Sequence, residues 1–451
     1  MKPNHALFAA LIIWLFVRPL CAAEPNLLVI VADDQRWDTL GCLGNSIIQT
    51  PHLDALATHG ALFRNNFCAT SICPVSRASI FLGQYERSHH IEDFDTPASP
   101  AAWANSYPAI LRQHGYAVGF IGKFGLGGAL PTNEFDYWAG FPGHGFYFET
   151  NQLQHLTARM GNQAIEFLTT YNRQKPFCLS ISFKAPHAQD AGPRYFPPDP
   201  QDEPLYRDVT IRPPPTADAA HFLMLPKFIQ TSEGRERWQT RFSTPEKYQQ
   251  SVKDYYRLIT GMDRVIGEII TELQTLKLDK NTVIIFTSDN GLFLGDKGLA
   301  DKWLMYEPAI RTPLIIYDPR LPAKRRGVRL DQMTLNVDLA PTILDEAGIT
   351  PPAVMQGHSL EPLLEGNKVK WRKDWYYEHH YTVGVKIPQS EGVRSENWKY
   401  IRYVEYNPPG EELYNLATDP LEEHNLINDS ASQKKLAELR ARWAELKRSL
   451  Q

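Results

Sequence analysis

Cysteine is scarce, with Cys21, Cys42, Cys68, Cys73 and Cys178 the only five in 451 residues. Their spacing matches neither a disulfide framework nor a zinc pattern. Charge of one sign is not in excess either. Lys and Arg number 47 against 51 Asp and Glu, giving a formal net charge of −4. No basic stripe dominates, which argues against a nucleic-acid partner. Internal repeats are absent. Beyond the N-terminus no apolar run reaches the ~20 residues that span a bilayer, so no stable membrane span is expected.

Hydrophobic residues make up 43% of the chain, ample for a sizeable core. The length suits one large and one small domain. The N-terminus carries Lys2, an apolar run from Ala6 to Val17 and the small residues Ala22 and Ala23. That layout predicts a signal peptide over residues 1–23 and a secreted or periplasmic protein.

Four short apolar runs each give way at once to polar residues. Asn26 to Ala32 leads into Asp33 and Asp34, and Tyr116 to Ile121 into Gly122 and Lys123. Phe177 to Phe183 leads into Lys184 to His187, and Thr282 to Thr287 into Ser288 to Gly291. Helical periodicity lies between them, as at Ile259, Met262, Ile266, Ile269 and Leu273. Strands alternating with helices predict an α/β domain over 24–366, with a mixed, mostly parallel central sheet flanked by helices. Ligands of such sheets bind beyond the carboxyl ends of the strands, so all four polar clusters are expected in one place. The Pro-rich stretch 192–215 reads as long surface loops. After Gly366, short strands at Trp375–Tyr381, Gly392–Val404 and Glu412–Leu416 and a helix at Ser432–Leu450 predict a smaller C-terminal α+β subdomain over 367–451.

Asp33, Asp34, Asp289 and Asn290 are all oxygen donors with no His-Cys set nearby, which suits a hard cation, calcium or magnesium, rather than zinc. The run Thr70 to Tyr85 (TSICPVSRASIFLGQY) resembles the signature of the formylglycine-dependent sulfatases of the alkaline phosphatase superfamily. Further landmarks follow in that family's order: Thr50 to Asp54, Thr287 to Gly291, Asn336 to Thr342 and Glu412 to Leu416. The resemblance covers nearly the whole mature chain.

That resemblance implies a sulfatase acting on a sulfated carbohydrate. Cys73 would be oxidised by a formylglycine-generating enzyme to the nucleophile precursor, with Arg77 holding the aldehyde hydrate. Lys123 and Lys302 would bind sulfate, His187 would protonate the leaving alcohol, and one Ca2+ would sit on Asp33, Asp34, Asp289 and Asn290. The chain departs from the family at Val75 (usually proline or alanine), Leu82 (usually threonine), Gly125 (commonly histidine) and Lys297 (often histidine). His89, His90, His379, His380 and Arg394 are further pocket candidates. Two alternatives remain open: a phosphodiesterase or phosphonate monoester hydrolase on the same fold, and a catalytically impaired carbohydrate-binding relative.

Overall fold

The computed structural model describes residues 24–450 except 129, 150–152, 191 and 382–383. The expected signal peptide lies outside the described residues. Six strands precede residue 290: β1 (Asn26–Asp33), β2 (Ala61–Phe67), β3 (Ala117–Lys123), β4 (Tyr137–Phe141), β5 (Phe177–Pro186) and β6 (Thr282–Ser288). A two-stranded ribbon follows, β7 (Phe293–Leu294) with β8 (Ala300–Asp301), then β9 (Arg311–Tyr317) and β10 (Val328–Leu335). Eight of these form the central sheet in the order β10-β2-β9-β6-β1-β5-β3-β4. Only β9 runs antiparallel to its neighbours, so the sheet is mixed and mostly parallel, as the strand–helix alternation predicts.

β1, β5 and β6 are buried along their whole length. Both faces of the sheet are therefore covered, which is why these strands read as continuous apolar runs rather than alternating ones. On one face the helix Pro245–Thr275 packs with the helix Leu156–Thr170, and Ile259, Met262, Ile266 and Ile269 enter the core together. This long helix starts earlier than its apolar stripe. Thr244 caps it by accepting from the Lys247 N–H, and Pro245 occupies its first turn.

The C-terminal part is an antiparallel sheet, β11 (Asp374–His379), β12 (Ser390–Ser395), β13 (Trp398–Tyr403) and β14 (Gly410–Asn415), closed by the helix Gln433–Ser449. The single strand expected at Gly392–Val404 is two. A turn at Glu396 and Asn397 breaks it, with the Ser395 hydroxyl accepting from the Trp398 N–H at 3.2 Å. Such side-chain caps divert backbone donors from the ladder.

Candidate active site

Parallel pairing brings the strand ends to one level. Ala32 lies opposite Ser288, Val31 opposite Ser182, and Gly122 opposite Ser182 from the other side. β1 therefore delivers Asp33 and Asp34, β6 delivers Asp289 and Asn290, β3 ends on Lys123, and β5 runs out just before His187. A fully buried helix, Cys73–Leu82, adds Cys73 at its first position and Arg77 one turn later, on the same face. Pro74 favours its first turn, and Gly83 closes it with φ +64. Lys302 enters after the β7–β8 ribbon, between Asp301 (φ +63) and Trp303 (φ +76). That sparsely populated backbone path is held by Asp301, which accepts from Arg237 and Arg241 at 2.7 Å each.

These nine side chains meet. Cys73 Sγ lies 3.3 Å from Asp33 Oδ1 and 3.1 Å from Lys302 Nζ. Lys123 Nζ donates to Asp33 Oδ2 at 2.6 Å, and Lys302 Nζ donates to Asp34 Oδ1. Arg77 donates to Asp289 Oδ2 at 2.9 Å and to the Lys123 carbonyl at 2.8 Å. Asn290 Nδ2 donates to Asp34 Oδ1 at 2.6 Å. His187 turns Nδ1 to the Ala188 carbonyl at 2.5 Å, which leaves Nε2 at 3.5 Å from Asp34 Oδ2. Asp33, Asp34, Cys73, Lys123, Asp289 and Asn290 are all 0% exposed, so every charge among them must be paired locally.

The pairing is uneven. Burial alone would raise the Asp33 carboxyl, but the ammonium of Lys123, helped by His187, Arg77 and Lys302, holds it well below the usual range. Asp34 goes the other way. Burial pushes it up to about 7, against Lys302 and with the charges of Asp33 and Asp289 adding to the rise. Burial likewise raises Asp289 and drives the Cys73 thiol well up, so that Cys73 is a neutral thiol and a poor nucleophile. His187 is held neutral, chiefly by burial.

Ligand atoms of Asp33, Asp34, Cys73 and His187 lie within 4.8 Å of one another. Asp34 Oδ2 and Asn290 Oδ1 are buried without a hydrogen bond. The His-Cys set absent nearby in sequence is present in space as Cys73 and His187, so it is the two unmet oxygens beside a crowded set of carboxylates that favour a hard cation. Asp289 stands outside the 4.8 Å group. Its Oδ1 accepts the N–H of Asp34 and Asn290 at 3.1 and 2.8 Å, and its Oδ2 is on Arg77.

The sequence profile of the sulfatase family matches residues 25–349. The chain belongs to the sulfatase family. A second profile, that of the N-sulphoglucosamine sulphohydrolase C-terminal region, matches residues 295–449. An N-acetylglucosamine-6-O-sulfatase of Bacteroides thetaiotaomicron is 29% identical, over 92% of this chain and 85% of that one. A solved structure of a protein in complex with its substrate D-glucosamine-2-N,6-O-disulfate superposes with a TM-score of 0.81 at 26% identity, covering 95% of this chain and 98% of that one. A phosphonate monoester hydrolase of Silicibacter pomeroyi shares the fold, with a TM-score of 0.80 at 21% identity over 95% and 96% of the two chains.

Within this sulfatase fold the remaining sequence candidates stand apart from the nine side chains. His89 is buried against Ser79 Oγ at 3.3 Å and accepts from the Ile91 N–H, while His90 faces solvent. His379 is wholly buried in β11. His380 lies between Glu86 at 2.9 Å and Glu391 at 3.3 Å; despite its burial, these carboxylates push it up to about 10. Arg394 pairs with Glu307 at 2.9 Å, and Lys297 donates to the Glu422 carbonyl at 2.5 Å. Two more residues border the site, one that the sequence placed in a polar cluster without a role and one that it missed. Lys184, which opens the polar cluster after Phe183 but still belongs to β5, lies with Nζ 5.0 Å from the Tyr147 ring centre, and burial, then Lys123, pushes it down to about 8. His144 lies 3.2 Å from Lys123, and its only signal was a histidine between two glycines in a loop.

Proposed function

We propose that this chain is an exported sulfatase that hydrolyses sulfate esters of a sulfated carbohydrate. In this reading residues 1–23 direct export, 24–366 form the catalytic domain and 367–451 the C-terminal subdomain. A formylglycine-generating enzyme converts Cys73 during maturation, and one Ca2+ is held by Asp33, Asp34, Asp289 and Asn290. Among the described residues no helix is long and apolar enough to cross a membrane.

The observation that carries the reading is the pair of buried ammonium groups, Lys123 and Lys302, set with an acidic cluster around one buried cysteine. Bound calcium supplies positive charge to a sulfate oxygen, and a hydrated aldehyde at position 73 supplies a hydroxyl nucleophile where the neutral thiol would fail. The chain's own side chains do the rest. Lys123 and Lys302 offer N–H donors to sulfate oxygens as negative charge gathers there. Arg77, fixed by Asp289 and the Lys123 carbonyl, braces the helix turn that presents position 73. The N-terminus of that helix adds the positive end of its dipole. His187 Nε2 transfers a proton to the departing alcohol oxygen, and the negative charge of a bound sulfate ester favours the protonated ring. A sugar substrate is supported by the relatives, one named for N-acetylglucosamine-6-O-sulfate and one bound to a disulfated glucosamine.

The rival is phosphonate or phosphodiester hydrolysis, since that chemistry occurs on the same fold. Rates on a matched aryl sulfate, aryl phosphodiester and phosphonate monoester separate the two. The expected outcome is that sulfate ester hydrolysis dominates, and that a panel of sulfated mono- and oligosaccharides yields free sulfate. Faster turnover of the phosphorus esters would overturn it.

A further inference from the structure

A loop histidine outside the nine reaches the buried charge cluster. His144 follows β4 in the segment Pro142-Gly143-His144-Gly145, where Gly143 and Gly145 both have positive φ, 62 and 61°. Glycine takes those angles freely, and the resulting path brings the imidazole to Lys123. Nδ1 of His144 lies 3.2 Å from Lys123 Nζ. The ring stacks on His187 with centroids 4.8 Å apart and planes at 26°, and it meets Phe94 edge-on at 5.2 Å. The Lys123 ammonium, then burial, pushes this imidazole down to about 2, so the ring is neutral. An ammonium has no lone pair, so Nδ1 is the acceptor and the ring proton is on Nε2.

Lys123 therefore has two of its three N–H groups committed, one to Asp33 Oδ2 at 2.6 Å and one to His144. The third is left for an incoming oxygen. No side chain on the segment that follows Lys123 can take this place at position 125. Gly125 has φ +78, and a Cβ there would lie 2.7 Å from Arg77 Cδ.

We propose that His144 is a positioning residue for sulfate transfer. Nδ1 aims the free N–H of Lys123 at the sulfate group, and the ring face fixes the plane of His187. This role rests on the sulfate-ester reading above. The two contacts can be separated. His144→Phe keeps a ring to stack but has no acceptor, whereas His144→Gln keeps an acceptor within reach of Lys123 but has no ring. His144→Ala removes both. Although its ring packs on Lys123, His187 and Phe94, His144 as a residue stays exposed in a loop, so all three variants should fold, which thermal melting checks.

Two readouts follow. Calorimetric titration of inorganic sulfate into calcium-loaded protein with unconverted Cys73 reports on Lys123 without turnover. The dependence of kcat/KM on leaving-group acidity, across aryl and alkyl sulfates, reports on His187. His144→Phe should weaken sulfate binding about tenfold, as loss of a charged hydrogen bond does, with the leaving-group dependence unchanged. His144→Gln should bind sulfate within about threefold of wild type but lose about tenfold on poor leaving groups. His144→Ala should show both losses. Equal losses of both kinds in the Phe and Gln variants, or wild-type behaviour in both, overturn the role of His144 alone. Wild-type protein that neither binds sulfate nor turns over aryl sulfate overturns the sulfate-ester reading, and this role with it.

Discussion

Gly125 shows how a single residue constrains the site. Its φ of +78 and the closeness of Arg77 Cδ make any side chain there strained. Gly125→Ala should cost about 1–3 kcal/mol of stability through the strained backbone and the displaced arginine. Denaturant unfolding checks this, and an unchanged midpoint would mean that the loop relaxes freely. His187 carries a different kind of prediction. His187→Ala should lower kcat/KM on alkyl and sugar sulfates by about 10²–10⁴, and far less on activated aryl sulfates whose leaving groups need little protonation. An equal loss on both classes would assign the ring to binding rather than proton transfer. The residues that strand ends deliver, Asp33, Asp34, Lys123, Asp289 and Asn290, were legible because polar residues interrupt apolar runs. His144 was not, because its approach to Lys123 depends on two glycine turns that no periodicity records. Lys184 was legible as the start of a polar cluster, but the strand runs on through it to Pro186, so its place beside Tyr147 was not.

At the scale of elements, the parallel strands were readable from their uninterrupted apolar character, and the register of β6, β1 and β5 explains why distant motifs converge. The break between β12 and β13 was not readable, because it depends on the Ser395 hydroxyl rather than on Gly or Pro. One buried carboxylate gathers several of the contacts that join the C-terminal sheet to the segment carrying Lys302, beside the Arg394–Glu307 pair and the Tyr377 hydroxyl on the Trp303 carbonyl. Glu412 on β14 accepts the hydroxyls of Tyr306 (3.0 and 2.8 Å) and Tyr403 (2.8 Å), and also that of Tyr414. Tyr306 stands four residues after Lys302, so this joint, with Tyr377 on the Trp303 carbonyl, helps to hold the segment of the second lysine. Glu412→Ala leaves three buried hydroxyls without their acceptor and should cost about 3–5 kcal/mol, while Glu412→Gln keeps an acceptor and should cost less than half as much. Chemical denaturation compares the two. Equal costs would mean that the packing of β14, not the tyrosine fan, holds the joint.

For the whole molecule, the fold gathers side chains scattered from Asp33 to Lys302 around a thiol that is itself inert. Burial keeps Cys73 protonated, and a thiol has no second hydroxyl with which to release sulfate. The central claim is therefore that activity belongs to the converted form alone. Val75, next but one to Cys73, is where the family usually has proline or alanine, so conversion in a mismatched host should be partial. The direct measurement pairs peptide mass spectrometry across Thr70 to Tyr85 with sulfate release from a sulfated sugar, over preparations with graded conversion. Sulfate release should rise in proportion to the converted fraction and extrapolate to nearly zero for free thiol. Full turnover from protein carrying only unmodified Cys73 would contradict the account.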